Sequence, residues 1–140
     1  MVGGTSDPNL VEMTRRLFSG LNEGDVGAFI ASLGPDPVFD VSPWGFGVYE
    51  GNRAIRRFLE DWIGSVDAYE RVPQEIVDLG GGIIFAAAVT RGVPAGGRTE
   101  IRLPGASVVV WADEKIVRVI NYRDADEARL AAERLAESRE

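Results

Sequence analysis

The 140-residue sequence contains no cysteine and no histidine. Without cysteine there are no disulfides, thiol nucleophiles or thiolate metal sites. Without histidine there is no imidazole base for a Ser-His or Cys-His pair, and no His-containing zinc site. Any acid–base work therefore falls to carboxylates, and neither a metal nor a cofactor is expected. Basic residues are also in deficit, 15 against 22 acidic ones, which gives a formal charge of -7 and a pI near 4.7. That field repels polyphosphate, and no cluster of Lys and Arg interleaved with aromatics offsets it, so nucleic acid is not an expected partner. No apolar run approaches the length of a bilayer span, and the start "MVGGTSD" has no basic region followed by an apolar core. A soluble, cytoplasmic protein with no membrane partner is the expectation.

What is present fits one domain over residues 1–140. Apolar residues make up 45% and charged residues 26% of the chain, a composition able to form a packed core. Asp7 and Pro8 signal a helix start. Leu10, Met13, Leu17, Phe18 and Leu21 follow helical spacing up to "NEGD" at Asn22. A short second helix is expected over Val26 to Leu33, stopped by Pro35 and Pro37. Val38, Phe39, Asp40, Val41 and Ser42 alternate as in a strand, which puts Asp40 and Ser42 on one face. Asn52 is positioned to cap a third helix whose stripe is Ile55, Phe58, Leu59, Trp62 and Ile63, ending at Gly64.

From Val66 onward the pattern becomes one of long strands, roughly 66–79, 82–93, 98–112 and 115–123. "GGG", "PAGG" and "ADEK" supply hairpin-like turns between them, so an antiparallel meander is expected. Asp124 with Glu127 forms a capping box for a last helix, whose apolar side is Leu130, Leu135 and alanines. The order α-α-β-α-β-β-β-β-α indicates an α+β fold, most simply a conical barrel of curved, mostly antiparallel sheet wrapped around the N-terminal helices.

Three segments, "LFSGLNEGDVGAFIASLGPDPVFD", "YEGNRAIRRFLEDW" and "KIVRVINYRDADEARL", resemble the SnoaL-like group of the nuclear transport factor 2 superfamily, and the likeness covers almost the whole chain. The resemblance implies a cystatin-like cone whose cavity holds an apolar ligand, in a superfamily of polyketide cyclases, ketosteroid isomerases, epoxide hydrolases, dehydratases and non-enzymes. Fold alone does not choose among these. The isomerase site falls on Ser42, Leu17 and Ser107, where Leu17 has no proton to move. The Asp-Arg-Asp set of the epoxide hydrolases falls on Ala87, Val89 and Asn121, which are not ionisable. For the cyclase aspartate, the nearby substitute is Asp40.

The candidate catalytic residues are therefore Asp40, for proton transfer in an apolar pocket that would raise its pKa, and Asn121, to hold a carbonyl oxygen or water. The bland alternative for Asp40 is a structural acceptor for backbone amides or for Arg123. Trp44, Phe46 and Tyr49, spaced by Gly45 and Gly47, suit a lid or wall of the cavity mouth. Leu17, Ser42, Trp62, Ser107, Trp111 and Arg123 complete the candidate ligand-binding set, although helical spacing already explains Trp62 as core and a rim salt bridge is the preferred reading of Arg123. Val108, Val110, Ile116 and Ile120 form an outer β face that suggests a homodimer, unless the last helix covers it.

The functional expectation is a small-molecule enzyme of SnoaL-like cyclase, isomerase or lyase type, taking a mainly apolar organic ligand in the cone and using carboxylate acid–base catalysis for isomerisation, cyclisation or dehydration. One alternative is a non-catalytic ligand-binding or dimeric interaction module. Another is an epoxide hydrolase with displaced residues, which needs a second inward carboxylate.

Overall fold

The computed structural model describes residues 9–139, so the expected Asp7–Pro8 helix start lies outside the described residues. Asn9 caps α1 (Leu10–Asn22), its Oδ1 accepting from the Glu12 amide at 3.0 Å. Gly24, at φ 83°, takes the left-handed turn that lets the chain reverse, and Asp25 caps α2 (Val26–Ala31) by accepting from the Ala28 amide at 3.0 Å. The helix stops short of Leu33, because that residue already begins β1 (Leu33–Asp40).

The strand β1 begins before Pro35 and Pro37, the expected stops of the second helix, and runs through both. Its register against its neighbour shifts between Leu33 and Val38, so the prolines occupy an irregular stretch where the missing amides cost no ladder bonds. A 3₁₀ turn (Ser42–Trp44) follows. The aromatic, glycine-spaced segment then returns as a short edge strand, β2 (Val48–Glu50), antiparallel to β1. Gly51, at φ 87°, is the N-cap of α3 (Asn52–Gly64), and Asn52 is its first helical residue instead of its cap.

The four long strands match the expected meander: β3 (Val66–Asp78), β4 (Ile83–Pro94), β5 (Ile101–Ala112) and β6 (Lys115–Tyr122). The sheet order is β2-β1-β6-β5-β4-β3. All pairings are antiparallel except β1 with β6, so the sheet is mixed, and it is curved but not closed. Together with the helices it makes the expected α+β fold.

The two faces of the sheet carry separate cores. Helices α1, α2 and α3 fill the concave face, where Phe18, Phe29, Phe39, Ile55, Val109 and Val119 are buried together. The convex face is covered by α4 (Ala125–Ser138), capped by Asp124, which accepts from the Asp126 and Glu127 amides at 2.8 and 3.4 Å. Its buried stripe is Ala128, Ala132 and Ala136, packed on Ile83, Phe85, Val108, Val110 and Ile120. Leu130, expected on that stripe, is 54% exposed. Short side chains let the helix axis approach the sheet closely, which a leucine stripe does not.

This placement removes the basis on which a homodimer was expected. Val108, Val110 and Ile120 are buried beneath α4, and Ile116 belongs to the concave core. The register of β5 against β6 shifts between Val110 and Trp111, which moves Ile116 to the other face. No helix among the described residues is long and apolar enough to cross a membrane.

Candidate functional site

Between the concave face of the sheet and the three N-terminal helices lies a hollow of about 80 Å³. Its walls are aromatic. Phe18 and Phe29 come from the first two helices, Phe39 from β1, and Phe58 and Trp62 from α3. Phe46 closes the mouth, its ring edge-on to Phe58 and Trp62 at centroid distances of 6.1 and 5.9 Å. Phe46 remains 47% exposed, between Gly45 at φ 86° and Gly47. A smaller extension shares Trp44, Arg71, Thr90, Leu103 and Asn121 with the main hollow and reaches Ser107.

Four polar side chains line the main hollow, Tyr69 and Arg71 from β3, Thr90 from β4 and Asn121 from β6; no Asp or Glu does. Arg71 sits opposite Thr90 across the β3–β4 ladder. Ala68, at φ 53°, lies in the register shift between Asp67 and Glu70 and sets the phase in which Tyr69 and Arg71 both face inward. The Arg71 backbone is held by Asn22, whose Oδ1 accepts from the Arg71 amide at 2.8 Å and whose Nδ2 donates to its carbonyl at 3.1 Å.

The guanidinium is the centre of the site. Arg71 Nη2 donates to Ser107 Oγ at 3.0 Å, Ser107 Oγ donates to Asn121 Oδ1 at 2.8 Å, and Asn121 Nδ2 donates to the Asp40 carbonyl at 3.2 Å. Phe18 lies under the guanidinium at 4.4 Å, a cation–π contact. Arg71 Nε is shielded from solvent and has no hydrogen-bond partner, and no carboxylate among the described residues pairs with the side chain. Burial pulls the Arg71 pKa below its ordinary value, opposed by Tyr69. Burial pushes the Tyr69 hydroxyl above its own ordinary value, with the Arg71 charge and the Trp62 indole pulling the other way. A guanidinium keeps its charge in proteins, and a phenol shifted upward keeps its proton, so at neutral pH the hollow presents a cation and a neutral phenol.

A SnoaL-like domain model matches residues 14–119, from the first helix to the sixth strand. The chain belongs to the SnoaL-like family. No curated protein matches it. Among solved structures, a nuclear transport factor 2-like protein of unknown function from Burkholderia pseudomallei superposes with a TM-score of 0.72 at 20% identity, covering 86% of this chain and 95% of that one. A candidate polyketide cyclase from Xanthomonas campestris gives 0.66 at 24% identity, with coverage of 86% and 94%. TerC, co-crystallised with polyporic acid, gives 0.69 at 16% identity, with coverage of 88% and 97%. At such identities the likeness is one of fold.

Within this SnoaL-like domain the sequence-derived site is redistributed. Asp40 does not line the hollow. Phe39 pairs with Val119 and Asp40 with Ile120 across β1 and β6, so Phe39 faces the concave core and Asp40 the opposite side. The inferred parity took Ser42 as inward, but Ser42 is exposed and stands beyond the strand, where Val41 is the inward neighbour of Phe39. The Asp40 carboxylate accepts from the Ser42 amide and hydroxyl at 2.9 and 2.6 Å, the structural role named as its alternative. Arg123 is exposed and makes no ion pair with Asp40; its guanidinium lies over Trp44 at 5.4 Å.

Trp44, Phe46, Trp62 and Asn121 do line the main hollow, and Ser107 its extension. Trp111 has the inward face expected, but it is core, 2% exposed, with Nε1 donating to Thr14 Oγ1 at 3.2 Å. Leu17 packs at the edge of the same core, and Tyr49 lies against Phe58 with the rings tilted and their centroids 4.6 Å apart; neither lines the hollow. Ala87 packs in the convex core and Val89 shares its parity, whereas Ala88 and Thr90 line the cavity. Sequence reasoning missed Tyr69 and Arg71. Their shared parity on the expected 66–79 strand was the available signal, but an arginine in a strand reads as solvated without a fold to enclose it.

Proposed function

We propose that this SnoaL-like domain binds a small, mainly apolar organic molecule bearing an oxygen function, with its apolar body among Phe18, Phe39, Phe58 and Trp62 and its oxygen at Arg71. The observation that carries this reading is a part-buried arginine, its Nε shielded from solvent and without a hydrogen-bond partner or a carboxylate, facing an aromatic-walled hollow. An apolar pocket with few convergent polar groups is the general form of a small-molecule site. The presence of polyporic acid with TerC accords with a ligand of this kind.

Any chemistry on that ligand proceeds by polarisation of its oxygen by Arg71 and Tyr69, in the manner of an oxyanion hole. Carboxylate acid–base catalysis by Asp40 has no support in the geometry, and the second inward carboxylate that epoxide hydrolysis needs has no counterpart along the hollow. Asn121 and Ser107 spend their hydrogen bonds on each other, on Arg71 and on the Asp40 carbonyl. Ser107 orients the guanidinium directly and Asn121 orients Ser107, which leaves Arg71 as the ligand's principal partner.

At about 80 Å³ the hollow is smaller than the roughly 150 Å³ that accommodates benzene in an engineered cavity. Entry of a ring therefore requires Phe46 to swing out on its flanking glycines. The test is a fluorescence titration with neutral N-phenyl-1-naphthylamine, which should bind saturably to the native protein and fail to bind after Leu103→Trp, a substitution that plugs the hollow. Equal binding by both would place the probe elsewhere and defeat the reading.

A further inference from the structure

Arg71 differs from the paired arginines of the chain. Arg15, Arg56, Arg91, Arg102 and Arg129 each lie within 4.0 Å of a Glu carboxylate, and all are surface pairs. Arg71 is part-buried in the hollow, its Nε shielded from solvent, and it has no such partner although acidic residues outnumber basic ones by 22 to 15. Withdrawing a charge even partly from water without a counter-ion is costly, and proteins ordinarily avoid it or neutralise it.

The fold nevertheless fixes this cation with care. Asn22 clamps its backbone, Ser107 orients one Nη, and Phe18 supports its face. Of the five guanidinium N–H groups, Ser107 takes one; the others have no protein acceptor among the described residues. A positively charged plane held rigid, stripped of acceptors and turned toward an apolar space has the attributes of a counter-ion waiting for its partner.

We infer that the ligand is an organic carboxylate, a flat apolar body whose carboxylate docks on Arg71; this rests on the reading of the hollow as a ligand pocket. A carboxylate suits the site better than a phosphate, because one cation and one phenol offset a single negative charge, while a doubly charged group would meet only aromatic walls beyond them. Tyr69, on the same strand face as Arg71 and neutral at working pH, supplies a second donor. The chain's net negative charge disfavours anions elsewhere on the surface, so the hollow is a selective exception to the global field.

Calorimetry with trans-cinnamate and its near-isosteric neutral amide, cinnamamide, tests this at pH 7 on the native protein and on Arg71→Met, which keeps the apolar stem and removes the charge. Cinnamate should bind the native protein about tenfold or more tightly than cinnamamide, and Arg71→Met should abolish that preference while still binding the amide. Equal affinities in the native protein overturn the inference but leave the pocket reading standing, and that comparison decides the matter even if the variant fails to fold. Absence of binding by both compounds and by N-phenyl-1-naphthylamine overturns the two together. Retention of the tenfold preference in Arg71→Met assigns the selectivity to another group and likewise overturns it.

Discussion

The side chain of Asn22 is hydrogen-bonded to both backbone polar groups of Arg71, 49 residues away, accepting from its amide at 2.8 Å and donating to its carbonyl at 3.1 Å. An amide side chain satisfying N–H and C=O together imitates a neighbouring strand, and it does so on β3, which forms one edge of the sheet. The end of the first helix is thereby coupled to the residue at the centre of the hollow.

Replacing Asn22 with Ala removes both bonds and leaves a part-buried amide and carbonyl unpaired. The expected loss of stability is about 1–3 kcal/mol, seen as a lower urea midpoint. Because the clamp positions a cation, the variant should weaken cinnamate binding more than cinnamamide binding; an equal effect on the two would reduce the clamp to a purely structural device.

Asp40 gives the opposite expectation. Its carboxylate accepts from the Ser42 amide and hydroxyl where the 3₁₀ turn begins and stays out of the hollow. Asp40→Asn retains an acceptor and should change ligand affinity by less than twofold, while Asp40→Ala should cost about 1 kcal/mol of stability by thermal melting. A large drop in ligand affinity in Asp40→Asn would restore this carboxylate to the site.

Gly105 is a seat for the Trp44 indole. A Cβ built there would lie 2.8 Å from the Tyr122 carbonyl oxygen and 3.0 Å from Trp44 Cζ2. Gly105→Ala should destabilise the fold by about 1–3 kcal/mol and shift the Trp44 emission as the ring is displaced. An unchanged melting temperature would show that this contact is looser than the geometry states.

The alkaline limb of stability should report Tyr69. Burial raises its folded pKa, as it does for Tyr122, above an unfolded value of about 10. Below that value both states hold the phenolic protons, so the contribution is fully present there. Above it the unfolded chain releases protons that the folded chain retains, and stability is lost as pH rises through the folded pKa. Urea midpoints should therefore be flat with respect to these groups to about pH 9 and then fall, less steeply in Tyr69→Phe.

Much of the architecture was legible in the chain because helical stripes, glycine turns and alternating strands are local signals. Asp124 caps the last helix as expected, and the four long strands fall close to their anticipated limits. The errors arise where a single residue of phase decides a face. On β1, the chain leaves the strand after Asp40, so Ser42 was a false guide to the parity of Asp40. On β6, a register shift opposite Trp111 reverses Ile116. The short β2 strand was invisible because its three residues pair only through tertiary context. Arg71 was missed for a related reason: whether an arginine is solvated or enclosed depends on the Asn22 clamp and the Phe18 ring, both contributed by a helix far away in sequence.

A crystal structure of the protein soaked with trans-cinnamate tests the central claim most directly. The account predicts the phenyl ring among Phe39, Phe58 and Trp62, Phe46 displaced outward, and a carboxylate oxygen about 3 Å from an Arg71 guanidinium nitrogen. Cinnamate bound with its carboxylate directed out of the mouth into solvent, and Arg71 contacting only Ser107, would contradict it.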